Sequence, residues 1–379
     1  MPMDMPKDTE KYSAWLEIDL GAIRNNVNKL IQISGKPVMA IVKANGYGHG
    51  MLESALAAVK GGATWCGVAR VEEGIALREA GLTCNILVMG FTPADQVIEA
   101  IQHGLTLTVY DPQVAKEYAQ KARNARKKLC LHVKFDSGMG RLGLFPEDGL
   151  PFMRWLNDQP EFTVEGVFSH FARADEPDLE TTSWQIERFN SLVRALESEG
   201  IRPPLVHSSN SAGILYHPDG RFDLVRSGIA IYGLDPSSQA PLPHGFIPAL
   251  SLKARLTSVK ELPAKHGVGY NYYYVTDAPE RVGVVSIGYA DGFRRRKGSM
   301  TLIHGKRTPV VGMVCMDQCM VSLKDLPEAR IGDEVVLIGR QGDQHLSMEE
   351  VAKDWGTINY EVATGMANRL PRLYFDSLP

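Results

Sequence analysis

A lysine placed where an apolar strand gives way to glycines is the feature of this sequence most able to do chemistry. The segment AIVKANGYGHG, Ala40 to Gly50, closes an apolar run with Lys43 and follows it with Gly46, Gly48 and Gly50. Glycines at such a point permit tight turns and close approach of a ligand to the backbone. An amine desolvated there has a lowered pKa and can act as a Schiff-base nucleophile. Taken alone, Lys43 could equally extend its stem to solvent, and the glycine spacing matches neither a phosphate-binding loop nor the dinucleotide fingerprint.

Other expected strand ends carry complementary groups. VKFDSGMGRLG, Val133 to Gly143, sets Arg141 in a glycine-rich loop, where its fork of donors suits a carboxylate. FSHFARAD puts His170 just past a strand, with an imidazole able to lie on or bond to an aromatic ligand. HSSNSAG, His207 to Gly213, is a hydroxyl- and amide-rich turn that leads into a helix and has the chemistry of a phosphate cradle. VRSGIAIYG, Val225 to Gly233, adds Arg226 and glycine-containing backbone whose N–H groups complete that cradle. Singly, each has a plain structural reading: surface ion pairs for the arginines, a core position for His170, a helix cap for the Ser-rich turn. At the ends of successive strands they compose one ligand site.

The elements that must position these groups follow from hydrophobic periodicity. Strands are expected at Val38–Lys43, Trp65–Val68, Ile86–Met89, Thr106–Val109, Leu129–Phe135, Val164–Ser169, Leu205–His207 and Leu224–Arg226. Helical stretches such as 51–60, 71–80, 95–103, 112–125 and 179–199 lie between them, with Gly81, Gly104 and Gly200 as stops. Eight such units suit a (β/α)8 barrel, though an open doubly wound sheet has the same periodicity. Pro236, Pro241, Pro243 and Pro248 mark a linker. Beyond it come short strands at 250–260, 282–287, 301–303, 309–314, 319–323 and 334–338, with one helix near 347–353, so a mostly β domain is expected.

Composition bounds the function. A chain of 379 residues exceeds one ordinary core, and a net charge of −3 exerts no long-range pull on nucleic acid or an anionic membrane. The basic run Arg294 to Lys297 is expected to be a solvated turn. The amino-terminal MPMDMPKDTEKYSAW lacks the apolar stretch of a secretory signal, so a cytoplasmic location is expected. Cys66, Cys84, Cys130, Cys315 and Cys319 are read as buried thiols, and the Cys315/Cys319 spacing lacks the second pair a zinc site needs, so no metal is expected.

The motifs AIVKANGYGHG, VKFDSGMGRLG, FSHFARAD, HSSNSAG, VRSGIAIYG, VGYN, IGYADGF and CMDQCM, in this order from about Trp15 to Tyr374, resemble those of the alanine racemase family. The resemblance implies a barrel over 12–240, a carboxy-terminal β-domain over 246–379 and pyridoxal 5'-phosphate as cofactor, joined to Lys43 as an aldimine. It implies that Tyr47 and His170 flank the cofactor and Arg226 faces the pyridine nitrogen. Asn210, Ser211, the backbone of Gly228 and Ile229, and the Tyr360 phenol then hold the phosphate. Arg141 holds the cofactor phenolic oxygen and the substrate carboxylate, the latter with the backbone of Met316 of the partner subunit. Lys43 and Tyr270 are the two bases on opposite faces of the α-carbon, Tyr270 likewise reaching the site from the partner subunit of a homodimer. Tyr289 stands near the substrate entry, and Lys134 occupies a position that is carbamylated in some members. The implied role is supply of D-alanine for peptidoglycan.

Tyr360 narrows the side-chain pocket, which favours alanine over serine, since some relatives that prefer serine have asparagine at its position. The run Asn271 to Tyr274 and the ending ATGMANRLPR depart from the commoner family pattern and bear on substrate breadth. Broader racemisation that includes serine, a decarboxylase of the same two-domain fold, and a non-catalytic carrier of the cofactor are the alternatives.

Overall fold

In the computed structural model, residues 9–378 are described; residues 1–8, part of the stretch read as lacking a signal, and residue 379, the end of the expected β-domain, lie outside them. The chain divides into two compact units, one made of Ile23–Tyr47 with Met51–Ile247, the other of the remaining described chain.

The first strand, β1 (Ala14–Asp19), is absent from the expected set and belongs to the second unit. The next eight, β2 (Val38–Ile41), β3 (Trp65–Val68), β4 (Asn85–Val88), β5 (Thr106–Val109), β6 (Leu129–Lys134), β7 (Phe162–Phe168), β8 (Leu205–His207) and β9 (Val225–Ser227), build the first unit. They form one sheet in the order β8-β7-β6-β5-β4-β3-β2-β9, with every recorded neighbour parallel. The sheet curls into a nearly closed barrel rather than an open layer. At the β8/β9 seam the Arg226 N–H donates to the Ser209 carbonyl at 3.1 Å and the Leu224 N–H to that of Val206 at 3.4 Å. β2, β3 and β5 are buried along their whole length, as strands covered on both faces must be.

The intervening helices start where the sequence supplies acceptors. Asp111 accepts the N–H groups of Gln113 and Val114 ahead of the helix Pro112–Ala125, whose first residue needs no N–H partner. Asp178 caps Leu179–Ser198 in the same way. The expected strand through Lys43 ends two residues early, at Ile41, because the chain turns into a left-handed conformation there.

The second unit is built on a nine-stranded sheet. Its spine is β10 (Leu250–Leu262), antiparallel to β1, to Glu334–Gln341 and, past an irregularity between Leu256 and Ser258, to Glu280–Val285. β1 also pairs in parallel with Arg372–Phe375, so both ends of the described chain meet in this sheet. Lys253 is buried there between Glu17 at 3.0 Å and Glu334 at 3.3 Å. Ser347 caps the helix Met348–Trp355, and Gly356 ends it at φ 67°. The basic run is exposed at Arg294, Arg295 and Lys297 but tethered: Arg294 donates to the Trp355 carbonyl at 3.0 Å, and the Lys297 ammonium lies 4.2 Å from the Tyr273 ring centroid. Cys66 and Cys319 are buried, whereas Cys84, Cys130 and Cys315 are only partly so. Among the described residues no helix is long and apolar enough to cross a membrane.

Candidate active site

Lys43 stands at the carboxyl end of β2, where it opens a left-handed turn: φ is 53° at Ala44, 53° at Asn45, 61° at Gly46 and 51° at Tyr47. Left-handed backbone costs an L-residue with a Cβ about 1–2 kcal/mol. Only Gly46 escapes this, so the turn must be held from outside. The Gly46 N–H donates to Val42 O at 2.8 Å, the Met51 N–H to Asn45 Oδ1 at 3.1 Å and the Ala44 N–H to Glu73 Oε1 at 2.7 Å. The half-buried Lys43 amine is held below the ordinary lysine range, first by desolvation and then by the Arg141 guanidinium, with Glu73 opposing both.

Arg226, on β9, is only 4% exposed and has no carboxylate among its recorded partners. Its Nη1 donates to His207 Nδ1 at 2.7 Å; its Nη2 donates to the carbonyls of Ser169 at 2.8 Å and Ser208 at 2.9 Å and faces His170 Nδ1 at 3.1 Å. A guanidinium only donates, so both imidazole nitrogens must accept. His207 then carries its proton on Nε2 and donates it to His132 Nδ1 at 2.8 Å, which leaves the His132 proton on Nε2, buried and with no hydrogen-bond partner among the described residues. Burial, with Arg226 nearby, pushes His132 down to about 3 and His170 and His207 well below the usual histidine range. The three rings are neutral at neutral pH. Arg226 itself is lowered to about 9 by burial and by Arg141, and stays charged.

The Arg141 loop is tied down by one carboxylate. Asp136 Oδ1 accepts the N–H groups of Gly138, Met139 and Gly140 at 2.9, 2.7 and 3.1 Å, and Oδ2 accepts that of Arg141 at 2.8 Å. Burial works to raise the Asp136 pKa, but these four amides outweigh it and hold it low. Gly143 closes the loop at φ 129°, where a Cβ would lie 2.4 Å from the Asp136 nitrogen. Nearby, burial together with Arg226 and Arg141 pushes the Lys134 amine down to about 7.

A cradle of hydroxyls and helix starts completes this end of the barrel. Asn210 Oδ1 accepts the Gly213 N–H at 2.9 Å and so caps the helix Ser211–Tyr216. The buried Ser211 and Ser227 hydroxyls are 3.1 Å apart. Gly228 precedes the short helix Ile229–Tyr232 and leaves room for Tyr47, whose phenol oxygen would be 2.4 Å from any Cβ there. Desolvation pushes that phenol up to about 12. First-turn N–H groups lack intrahelical acceptors, so two helix starts beside paired hydroxyls make a site for an anion such as phosphate.

The structure thus brings Lys43, Tyr47, Arg141, His170, Asn210, Ser211, Arg226, Gly228 and Ile229 to the carboxyl ends of the barrel strands. Tyr270, Met316 and Tyr360 belong to the second unit. There Tyr270 is 64% and Met316 54% exposed, and both line an open groove of about 620 Å³ with Gly269, Cys315, Asp317 and Gln318. Around it the Tyr289 N–H donates to Cys315 O and the Ala290 N–H to Met316 O, each at 3.0 Å. Arg369 bridges Asp291 and Asp317, at 2.7 Å to each. Tyr360 is half-buried in the helix Asn359–Thr364. Sequence reasoning missed Glu73, His132, Asp136, His207 as a partner of Arg226, and Arg369. His207, Asp136 and Arg369 lay inside segments already singled out; nothing local marked Glu73 or His132.

Residues 18–236 match the family described as alanine racemase, N-terminal domain, and residues 249–374 that described as alanine racemase, C-terminal domain. An alanine racemase of Symbiobacterium thermophilum is 43% identical over 363 residues, covering 95% of this chain and 96% of its own. A crystal structure of alanine racemase from E. faecalis superposes with a TM-score of 0.91 at 42% identity, over 96% of this chain and 98% of that one. The alanine racemase structure from Bacillus anthracis with bound L-Ala-P gives 0.89 at 39% identity, over 96% and 95%.

Proposed function

The chain belongs to the alanine racemase family, and from that premise we propose that it interconverts L- and D-alanine with pyridoxal 5'-phosphate held on Lys43. The donor set at the barrel mouth fits the group: a half-buried amine of lowered pKa, paired hydroxyls at two helix starts, and a buried guanidinium. When bound, the cofactor supplies an aldehyde for amines and a ring that delocalises the electron pair left when the Cα proton departs. Asn210, Ser211, the amides of Gly228 and Ile229 and the Tyr360 phenol would hold its phosphate, and Tyr47 and His170 would flank it. The domains act as a barrel, expected over 12–240 but starting only after β1, and a β-domain, expected over 246–379, that takes β1 into its sheet.

Arg226 sets the outcome of the reaction. A guanidinium would donate a hydrogen bond to a ring nitrogen set against it without giving up its proton, which would limit charge withdrawal by the ring and favour reprotonation at Cα, hence racemisation over transamination. The observation that carries this reading is that its recorded partners are neutral imidazoles and carbonyls, with no acid among them.

Lys43 takes or returns the Cα proton on the face of the D-isomer, and Tyr270 from the partner subunit of a homodimer does so on the face of the L-isomer. Arg141 and the backbone of Met316 of the partner subunit would bind the substrate carboxylate. Tyr360 would narrow the pocket toward alanine over serine. The product supplies peptidoglycan synthesis in the cytoplasm. The exposure of Tyr270 and Met316 suits groups that act on a second copy.

Circular dichroism of L-alanine incubated with the purified protein and cofactor tests the reading. Loss of optical activity, solvent deuterium at Cα and a visible band erased by borohydride are expected. Carbon dioxide from labelled alanine would favour a decarboxylase instead, and a bound cofactor with no turnover a carrier.

A further inference from the structure

We propose that Glu73 is the positioning residue that aims Lys43, clamping the left-handed turn behind it to the neighbouring strand's loop; this rests on the reading of Lys43 as the cofactor-bearing residue. Glu73 lies in the first turn of the helix Val71–Glu79, which follows β3. Its carboxylate spans two segments. Oε1 accepts the Ala44 N–H at 2.7 Å, while Oε2 accepts the N–H groups of Ala69 at 2.7 Å and Arg70 at 3.2 Å.

The Ala44 N–H belongs to the peptide unit whose carbonyl is that of Lys43, so this bond fixes the peptide plane from which the lysine side chain departs. An ordinary first-turn glutamate satisfies only its own helix. This one spends one oxygen on the Arg70 end of its helix and the other on a turn of four successive positive φ values, three of them at residues with a Cβ. A bond to a charged acceptor is among the stronger ways to hold such a backbone. Glu73 also lies close enough to raise the Lys43 pKa against the lowering by Arg141, which places its charge beside the amine as well as beside the turn. Without the clamp the fold keeps its barrel, but the turn relaxes and the amine leaves its productive direction.

The test titrates each protein with pyridoxal 5'-phosphate, reads the visible band, and maps the borohydride-reduced adduct by peptide mass. In E73Q the amide nitrogen cannot accept an N–H. Its cofactor Kd is expected to rise about tenfold and its kcat to fall about tenfold or more, with KM for alanine changed less than about twofold. The exposed neighbour E72Q serves as the stability control and stays at wild-type values. Adding A44G to E73Q is expected to restore most of the loss, because glycine adopts the left-handed turn unaided. E73D, one methylene shorter, keeps its own helix amides but not Ala44, so it shares the E73Q defect and carries the test if E73Q does not fold.

Wild-type Kd and kcat in E73Q or E73D, or an E73Q defect that A44G leaves untouched, would overturn the inference while Lys43 keeps its role. A wild-type adduct on a residue other than Lys43, or one that persists in K43A, would overturn the reading of the site itself.

Discussion

At the scale of single residues, the chemistry depends on charge states that burial imposes. A histidine whose folded pKa is depressed stays neutral in the native chain while the unfolded chain binds a proton below about 6.5. His132, His170 and His207 are all depressed, so stability present above that pH is lost as pH falls through it toward their folded values. Each contributes a slope of up to about 1.4 kcal/mol per pH unit. Urea unfolding of His132→Phe between about pH 4 and 6 should show the slope reduced by one such increment; an unchanged slope would mean that His132 is not the neutral end of the chain. Lys134, lowered to about 7, offers a neutral amine at ordinary pH. That is the form able to add carbon dioxide at nitrogen and, on releasing a proton to solvent, become a carbamate anion near Arg141 and Arg226. Native mass spectrometry should find one bicarbonate-dependent adduct that disappears in Lys134→Met.

At the scale of elements, the working parts are short turns that follow strands, each held by a carboxylate or amide from nearby chain. The Arg141 loop shows the dependence. Gly143→Ala would place a Cβ 2.4 Å from the Asp136 nitrogen and 2.6 Å from the Phe135 carbonyl carbon at φ 129°, against the backbone that carries the Asp136 carboxylate. Strain of this kind costs about 1–3 kcal/mol, and the loop has little else to absorb it. The expected result is a rise in KM for alanine of tenfold or so with far-ultraviolet circular dichroism unchanged. A pure loss of kcat would show that Arg141 does not bind the substrate carboxylate. Strand order was legible because apolar runs alternate with helical periods, and three of the eight barrel strands have the predicted bounds. β1 was not, because a strand from the amino terminus that pairs with β10 and with Arg372–Phe375 has no neighbouring partner in sequence to announce it.

At the scale of the whole molecule, the proposed site needs two chains. Variants K43A and Y270A are each expected to be inactive. Mixed and reassociated at random, half of the dimers are hybrids with one complete site in two, so about a quarter of wild-type activity should return. No recovery would place both groups in one protomer.

Residue types and local spacing by themselves determined the eightfold strand–helix alternation, the β-rich second half and the ordered motifs that carry Lys43, Arg141, His170, Arg226 and Tyr270. Those are properties of neighbours along the chain, and hydrophobic period and turn chemistry report them directly. Tertiary structure decided the rest. His132 and His207 meet Arg226 only when β6, β8 and β9 come together in the barrel, and Glu73 reaches Ala44 across 29 positions only when β2 and β3 lie side by side. Contacts of that length depend on closing the chain in space, and no spacing within a motif encodes them.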